Sequence, residues 1–234
     1  MILVTGASEG IGFACARELL ARTPASVLAT GRSLAKLAGA RDSLPPPARE
    51  RFCTLASDQA RGADVRALVS RLAGAATIQA AILTVGVNPA YAEGPRRLHA
   101  LSAETIEETV RTNCIHTMLL TTALLDRFRR QRAGVLVWIG SQAQATGLSG
   151  AGLYNATKSF LSGLARTAHN EYGARGVRVH LAHPGLVRTP RTAAVADAFA
   201  RRHGLQVSDA SQVARQIVDL MLDGDPCAVE VNLC

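Results

Sequence analysis

Short β-branched or apolar runs alternate with longer helix-like segments along the whole sequence, and this alternation restricts the fold more than any other feature. The runs are 2–5, 27–30, 52–55, 80–85, 135–139, 177–182 and 228–233. Segments with helical spacing lie between them at 11–22, 33–42, 61–73, 103–131, 152–173 and 209–222. Strand, helix, strand at this spacing makes βαβ units and a parallel sheet. The runs are continuously apolar, as strands covered on both faces are, and right-handed crossovers then set helices on both sides. The expectation is a single α/β domain over residues 1–234, a doubly wound parallel sheet of about seven strands. Pro45-Pro46-Pro47 is too brief for a linker and predicts a rigid turn.

Two segments break the rhythm, 86–102 and 183–208. Both follow the carboxyl ends of predicted strands, the ligand side of an open parallel sheet, and long loops there are usually functional.

Composition narrows the function classes. Hydrophobic residues are 48% and charged residues 19%, which excludes a disordered polyelectrolyte. No apolar stretch approaches the ~18 residues of a membrane span, and the start, Met1-Ile2-Leu3-Val4-Thr5-Gly6, lacks the features of a signal peptide. A soluble, cytoplasmic protein is expected. The five cysteines are odd in number and lack metal-ligand spacing, so neither a disulfide framework nor a metal site is expected. The net charge of +8 raises nucleic acid as a partner. The basic residues are scattered, however, and aromatics are 4%, few for base stacking, so no nucleic-acid partner is expected.

Thr5-Gly6-Ala7-Ser8-Glu9-Gly10-Ile11-Gly12 joins the first strand to the first helix. Glycines allow a tight turn and close approach of backbone to ligand, and the helix start offers unpaired N–H groups to a diphosphate. The spacing is GxxxGxG and no GK[ST] follows, which points to a dinucleotide rather than a P-loop nucleotide. The second strand ends Thr30-Gly31-Arg32-Ser33. An acid there would bind ribose hydroxyls; Arg32 and Ser33 suit a 2′-phosphate instead. NADP(H) is therefore preferred and NAD(H) possible, with Glu9 as a carboxylate that opposes the phosphate.

Tyr154 and Lys158 are four apart on a predicted helix and share one face. A tyrosine titrates near pKa ~10, and a nearby ammonium favours the phenolate, so the pair can move a proton. Only two of the 26 basic residues are lysines, Lys36 and Lys158, so a lysine here suggests a role arginine cannot fill. Ser141 follows the fifth strand, and Asn113 lies in the middle of a predicted helix.

Taken together, TGxxxGxG at 5–12, Asn113, Ser141, YxxxK at 154–158 and Pro184-Gly185 followed by Thr189 resemble the short-chain dehydrogenases/reductases over almost the whole chain. The resemblance implies a Rossmann-like, seven-stranded domain that is a dimer or tetramer. It implies that Tyr154 is the catalytic acid/base and that Ser141 donates a hydrogen bond to the substrate oxygen. Lys158 would bind the nicotinamide ribose and lower the pKa of Tyr154, and Asn113 would hold a water joining Lys158 to solvent. Asp58 would contact the adenine, Gly86 would let the backbone approach the ribose, and Pro184, Gly185, Val187 and Thr189 would lie along the nicotinamide. The family's NNAG after strand four reads Leu83-Thr84-Val85-Gly86 here, so the support of the first asparagine is missing.

The expected partner is a small carbonyl or alcohol substrate, with a non-catalytic dinucleotide sensor on the same fold as the alternative. Its pocket is expected to draw on Asn88, Tyr91, Gln142, Ala143, Gln144, Leu148, Leu186 and residues 190–205, a mixture that fits a medium-sized organic molecule. Arg188, Arg191, Arg201 and Arg202 read as solvated helix charges, with contact to an acidic substrate as the alternative. Apolar residues along 103–131, from Ile106 to Leu125 and Phe128, and along 152–173 predict a subunit interface.

Overall fold

A computed structural model describes residues 1–74 and 77–233, with Arg202 and His203 described by backbone alone. In chain order the elements are β1 (Ile2–Thr5), α1 (Gly10–Arg22), β2 (Val27–Gly31), α2 (Leu34–Asp42), α3 (Pro46–Glu50), β3 (Phe52–Ala56), α4 (Gly62–Gly74) and β4 (Ala80–Leu83). There follow α5 (Ala90–Glu93), α6 (Ala103–Val110), α7 (Thr117–Gln131), β5 (Gly134–Ile139), α8 (Ala143–Thr146), α9 (Gly152–Tyr172), β6 (Val177–His183), β7 (Leu186–Arg188), α10 (Ala193–His203), β8 (Val207–Asp209), α11 (Ala210–Asp223) and β9 (Glu230–Asn232).

Seven strands form one parallel sheet in the order β3-β2-β1-β4-β5-β6-β9. The order turns back between β1 and β4, and the crevice beyond the carboxyl ends of those strands is where such sheets take ligands. Side chains alternate faces along each strand. Ile2, Val4 and Ala29 join Leu19 and Leu20 of α1 and Val213, Ile217 and Val218 of α11 in one apolar layer. Leu3, Leu28, Leu136 and Trp138 meet Leu68 of α4, Leu120, Leu124 and Phe128 of α7 and Leu161 of α9 in the other. Each fully buried side chain of this size contributes about 1.5–3 kcal/mol. Trp138 satisfies its polar atom by donating to Thr121 Oγ1 at 3.0 Å. No helix among the described residues is long and apolar enough to cross a membrane.

Several local expectations are corrected. The predicted helix over 103–131 is interrupted by a π-helical turn, Arg111–His116, which contains Asn113. The predicted strand over 80–85 stops at Leu83 because Thr84 turns both its hydroxyl and its N–H onto Thr5. Pro45-Pro46-Pro47 is not only a turn: Pro45 is extended and Pro46 opens α3, a position where the missing N–H costs nothing. The loop over 183–208 holds α10 and a small two-stranded parallel sheet of β7 and β8. Leu125 and Phe128, expected at a subunit interface, lie in the core at 6% and 0% exposure.

Candidate active site

The glycine turn is built without room for side chains. Gly6 and Gly10 have φ of +63° and +60°, which only glycine adopts freely. A Cβ on Gly12 would collide with the Gly6 carbonyl and lie 2.9 Å from Thr84 Oγ1. The α1 helix begins at Gly10, and Glu9 before it makes no side-chain cap. The first-turn N–H groups, including those of Ile11 and Gly12, therefore have no intrahelical partner, and with the helix dipole they suit a diphosphate. Leu83 stands where the first asparagine would, and the residue after it, Thr84, supplies a tie of its own. Its hydroxyl donates to Thr5 O at 2.5 Å and its N–H to Thr5 Oγ1 at 3.0 Å, tying β4 to the end of β1.

At the end of β2, Gly31 packs 3.3 Å (measured from an added Cβ) from the Ser8 hydroxyl. Arg32 is exposed beside it. Ser33 caps α2, its hydroxyl accepting from Lys36 N at 3.2 Å. The Lys36 ammonium lies 2.9 Å from Glu9 Oε2. Glu9, read from sequence as opposing a 2′-phosphate, is thus paired with a cation. The lysine that does this was visible as one of two in the chain, yet its pairing depends on the turn geometry. Asp58 follows β3, with its Oδ1 accepting from Ala60 N at 3.0 Å, and its neighbour Ser57 donates its N–H to Gly31 O at 2.9 Å. That places Asp58 beside the end of β2.

Ser141, Tyr154, Lys158, Asn113 and Gly86 converge at the carboxyl ends of β4 and β5. Lys158 is buried, 5% exposed, and its Nζ donates to Ile139 O at 2.7 Å and lies 5.6 Å from the centre of the Tyr154 ring. A Cβ on Gly86 would sit 3.0 Å from that Nζ. Burial lowers the Lys158 pKa to about 8. Burial likewise pushes the Tyr154 phenol above its ordinary value, and the nearby Tyr91 adds to this. A hydrogen bond from Ser141 and the charge of Arg191 work the other way and do not overcome burial. The expected depression of Tyr154 by Lys158 is therefore corrected: its phenol lies above its ordinary value, because loss of water outweighs nearby charge. Asn113 does not aim a free amide at solvent. Its Oδ1 accepts from Val87 N at 2.8 Å, and its Nδ2 donates to Val87 O at 2.9 Å and to Thr157 Oγ1 at 3.0 Å. The π turn brings it there to clamp the loop after β4 against α9.

Beyond Pro184-Gly185 the chain returns over the cleft. Val187 O accepts from Thr192 Oγ1 at 2.6 Å. Thr189 packs against Gly10, 3.5 Å from an added Cβ there, so this loop meets the glycine turn. Arg191 donates to Gly86 O at 3.0 Å. A small cleft beside Tyr154 is lined by Asn88, Glu93, Arg96, Leu101, Ala151 and Leu153 among others. Asn88 was expected there. Gln142 and Gln144 were too, but their amides instead bind Leu233 O at 2.6 Å and Ser162 Oγ at 3.2 Å. Of the loop arginines, Arg188 is held by Asp197 and the Arg202 side chain lies outside the described residues. Among the described residues no cluster could hold a metal ion.

A glycine turn after β1 and a Ser–Tyr–Lys group at the ends of β5 and α9, on a sheet of this order, define a nucleotide-linked oxidoreductase of the α/β class. The family model for short chain dehydrogenase matches residues 1–199, and the chain belongs to that family. Carbonyl reductase family member 4 of Danio rerio is 30% identical over 204 residues, 86% of this chain and 81% of that protein. The 3-oxoacyl-(acyl-carrier-protein) reductase FabG of Vibrio cholerae is 28% identical over 195 residues, 83% of this chain and 76% of the relative. Among solved structures, a short chain dehydrogenase/reductase family protein aligns with a TM-score of 0.86 at 25% identity, covering 99% of this chain and 94% of the other. A short-chain dehydrogenase from Sphingobium yanoikuyae in complex with NADPH aligns with a TM-score of 0.80 at 24% identity, over 99% and 86% of the two chains.

Proposed function

We propose that the protein is an NADP(H)-dependent oxidoreductase that interconverts a carbonyl and an alcohol on a medium-sized organic substrate. The observation that carries this reading is the convergence of Ser141, Tyr154 and Lys158, with only β4 between them and a glycine turn whose Cβ positions are already occupied by neighbouring atoms. The cradle fits NADP(H): helix N–H groups for the diphosphate, Arg32 for the 2′-phosphate, and Lys158 for the nicotinamide ribose. NADPH, when bound, supplies the hydride. The chain supplies the rest. Ser141 donates to the substrate carbonyl oxygen. Tyr154, held protonated by burial, then transfers its phenolic proton to that oxygen as negative charge develops there. Lys158 stabilises the resulting phenolate from the same helix face. The test is a panel of neutral ketones and aldehydes scored by NADPH oxidation; no turnover across the panel would overturn the reading.

Cofactor choice follows from the paired Glu9. With Lys36 opposite it, Arg32 meets the 2′-phosphate without net opposition, and NADPH is expected to bind about tenfold tighter than NADH. The double change Gly31→Asp with Arg32→Ala should reverse that order. Titration by cofactor fluorescence decides it, and tighter NADH binding by the unaltered protein would refute the assignment.

Lys158 yields a pH prediction. Its pKa is lowered to about 8 in the folded chain, against about 10.4 in an unfolded one. The unfolded state then binds more protons between those values, so this group's contribution to stability rises with pH across that window. The penalty is full below about pH 8 and gone above the unfolded pKa. Thermal melts of the unaltered protein and Lys158→Met should therefore converge in favour of the former as pH rises from about 7 to about 10. A pH-independent difference would contradict the burial of a charged ammonium.

Assembly is proposed from the surface of α6, the π turn and α7. Ile106, Ile115, Met118 and Leu119 are 39%, 53%, 42% and 41% exposed on one stretch of chain, and a homodimer or homotetramer would cover them. Light scattering at micromolar concentration should give a multiple of 24.6 kDa; a monomer would refute this point alone.

A further inference from the structure

We infer that Arg191 selects carbonyl substrates that carry a carboxylate, its guanidinium receiving the anionic oxygens while Ser141 and Tyr154 hold the carbonyl; this rests on the reductase reading above. Arg191 lies between β7 and α10, and its guanidinium crosses the cleft to donate to Gly86 O at 3.0 Å. Gly86 in turn packs against Lys158, with 3.0 Å between an added Cβ and Nζ. The guanidinium therefore stands next to the reacting end, and its charge is felt at Tyr91, Tyr154 and Lys158 alike.

Three cations around the cleft are paired with carboxylates, and Arg191 is not. Arg188 grips Asp197 through contacts of 3.0 and 2.6 Å. Arg96 lies 3.5 Å from Glu93, and Lys36 2.9 Å from Glu9. Among the described residues Arg191 has no carboxylate partner, and Lys158 likewise has only a backbone carbonyl. An exposed cation without a facing anion, beside a cleft, raises the local concentration of anionic ligands. A guanidinium takes a carboxylate through two parallel charge-assisted bonds, a better partner than the neutral Gly86 carbonyl. The diphosphate of the cofactor is the other source of anionic oxygen. The residue of this loop that faces the glycine turn is Thr189, however, whereas Arg191 faces Gly86.

The experiment compares levulinate and phenylpyruvate with their methyl esters as substrates for the unaltered protein, Arg191→Gln and Arg191→Lys, with NADPH in each case. Taking ratios between proteins cancels the intrinsic reactivity of acid and ester. The acids' kcat/KM is expected to fall about 30-fold more than the esters' in Arg191→Gln, with part of that preference restored in Arg191→Lys. Calorimetric titration of the acids into each NADPH-loaded protein should show the same loss of affinity. Acid and ester falling in parallel would overturn the proposal; if NADPH affinity falls with them, the guanidinium serves the diphosphate. If neither acid nor ester is reduced by the unaltered protein, the reductase reading is decided by the neutral ketones and aldehydes alone. Calorimetry still decides Arg191 in that case: acid binding unaffected by Arg191→Gln sinks the proposal, and acid binding that depends on it sustains the site.

Discussion

Tyr154→Phe is expected to lower turnover at least ~100-fold while leaving NADPH affinity nearly unchanged. The two parts separate because the ring and the hydroxyl do different work. The ring fills space between the loop carrying Asn88 and the start of α9, and Phe keeps it. The hydroxyl alone carries the proton, and no other group beside Ser141 replaces it: Tyr154 is the phenol hydrogen-bonded to Ser141, Tyr91 is paired with Asn88, and Lys158 is occupied with Ile139 O. Turnover within a few-fold of the unaltered protein would remove Tyr154 from the chemistry. Loss of NADPH binding in parallel would instead mean that the hydroxyl positions cofactor.

Gly12→Ala is the substitution with the largest expected effect on stability. The new methyl would collide with the Gly6 carbonyl, which is backbone, and crowd Thr84 Oγ1 at 2.9 Å. Neither yields easily, because Thr84 is tied to Thr5 and Gly6 already holds a positive φ. The cost is expected at about 3 kcal/mol or more, a fall of about 10 °C in Tm for a chain of this size, with NADPH binding lost at ordinary concentrations. Gly39→Ala is the control. It lies inside α2 with nothing within 4 Å of its added Cβ, and better helix propensity should stabilise it by about 0.5–1 kcal/mol. A similar response at both positions would mean that the glycine turn is not packed as described.

These two residues illustrate what could be read from the chain before its structure. The glycine turn was legible because its requirement is local: the spacing of Gly6, Gly10 and Gly12 between an apolar run and a helix has few physical explanations. Tyr154 and Lys158 were legible because i and i+4 share a helix face. The parallel sheet of about seven strands followed from the alternation of apolar runs with helical segments. What was hidden depends on partners distant in sequence. Leu83 in place of an asparagine looked like a lost support until the two bonds of the next residue, Thr84, to Thr5 appeared. Glu9 looked hostile to a phosphate until Lys36, 27 residues on, paired with it. Asn113 looked like a polar residue in a continuous helix, since nothing in its neighbours signals a π turn. Gln142 and Gln144 were placed in the pocket by proximity to Ser141, but amides turn towards whichever nearby carbonyl or hydroxyl can accept from them, and here those belong to Leu233 and Ser162. Arg191 was grouped with three other arginines of its loop, and only the pairing of Arg188 with Asp197 separates them.

The central claim is that this chain reduces a carbonyl with a hydride from NADPH and a proton from Tyr154. It is tested most directly by incubating the protein with NADPH deuterated at the transferable position and a panel of ketones and aldehydes, then examining the products by mass spectrometry. The account predicts loss of NADPH absorbance and an alcohol carrying one deuterium on the former carbonyl carbon, with both absent in Tyr154→Phe. NADPH bound tightly but never oxidised, or deuterium appearing in the alcohol at an equal rate without the Tyr154 hydroxyl, would contradict it.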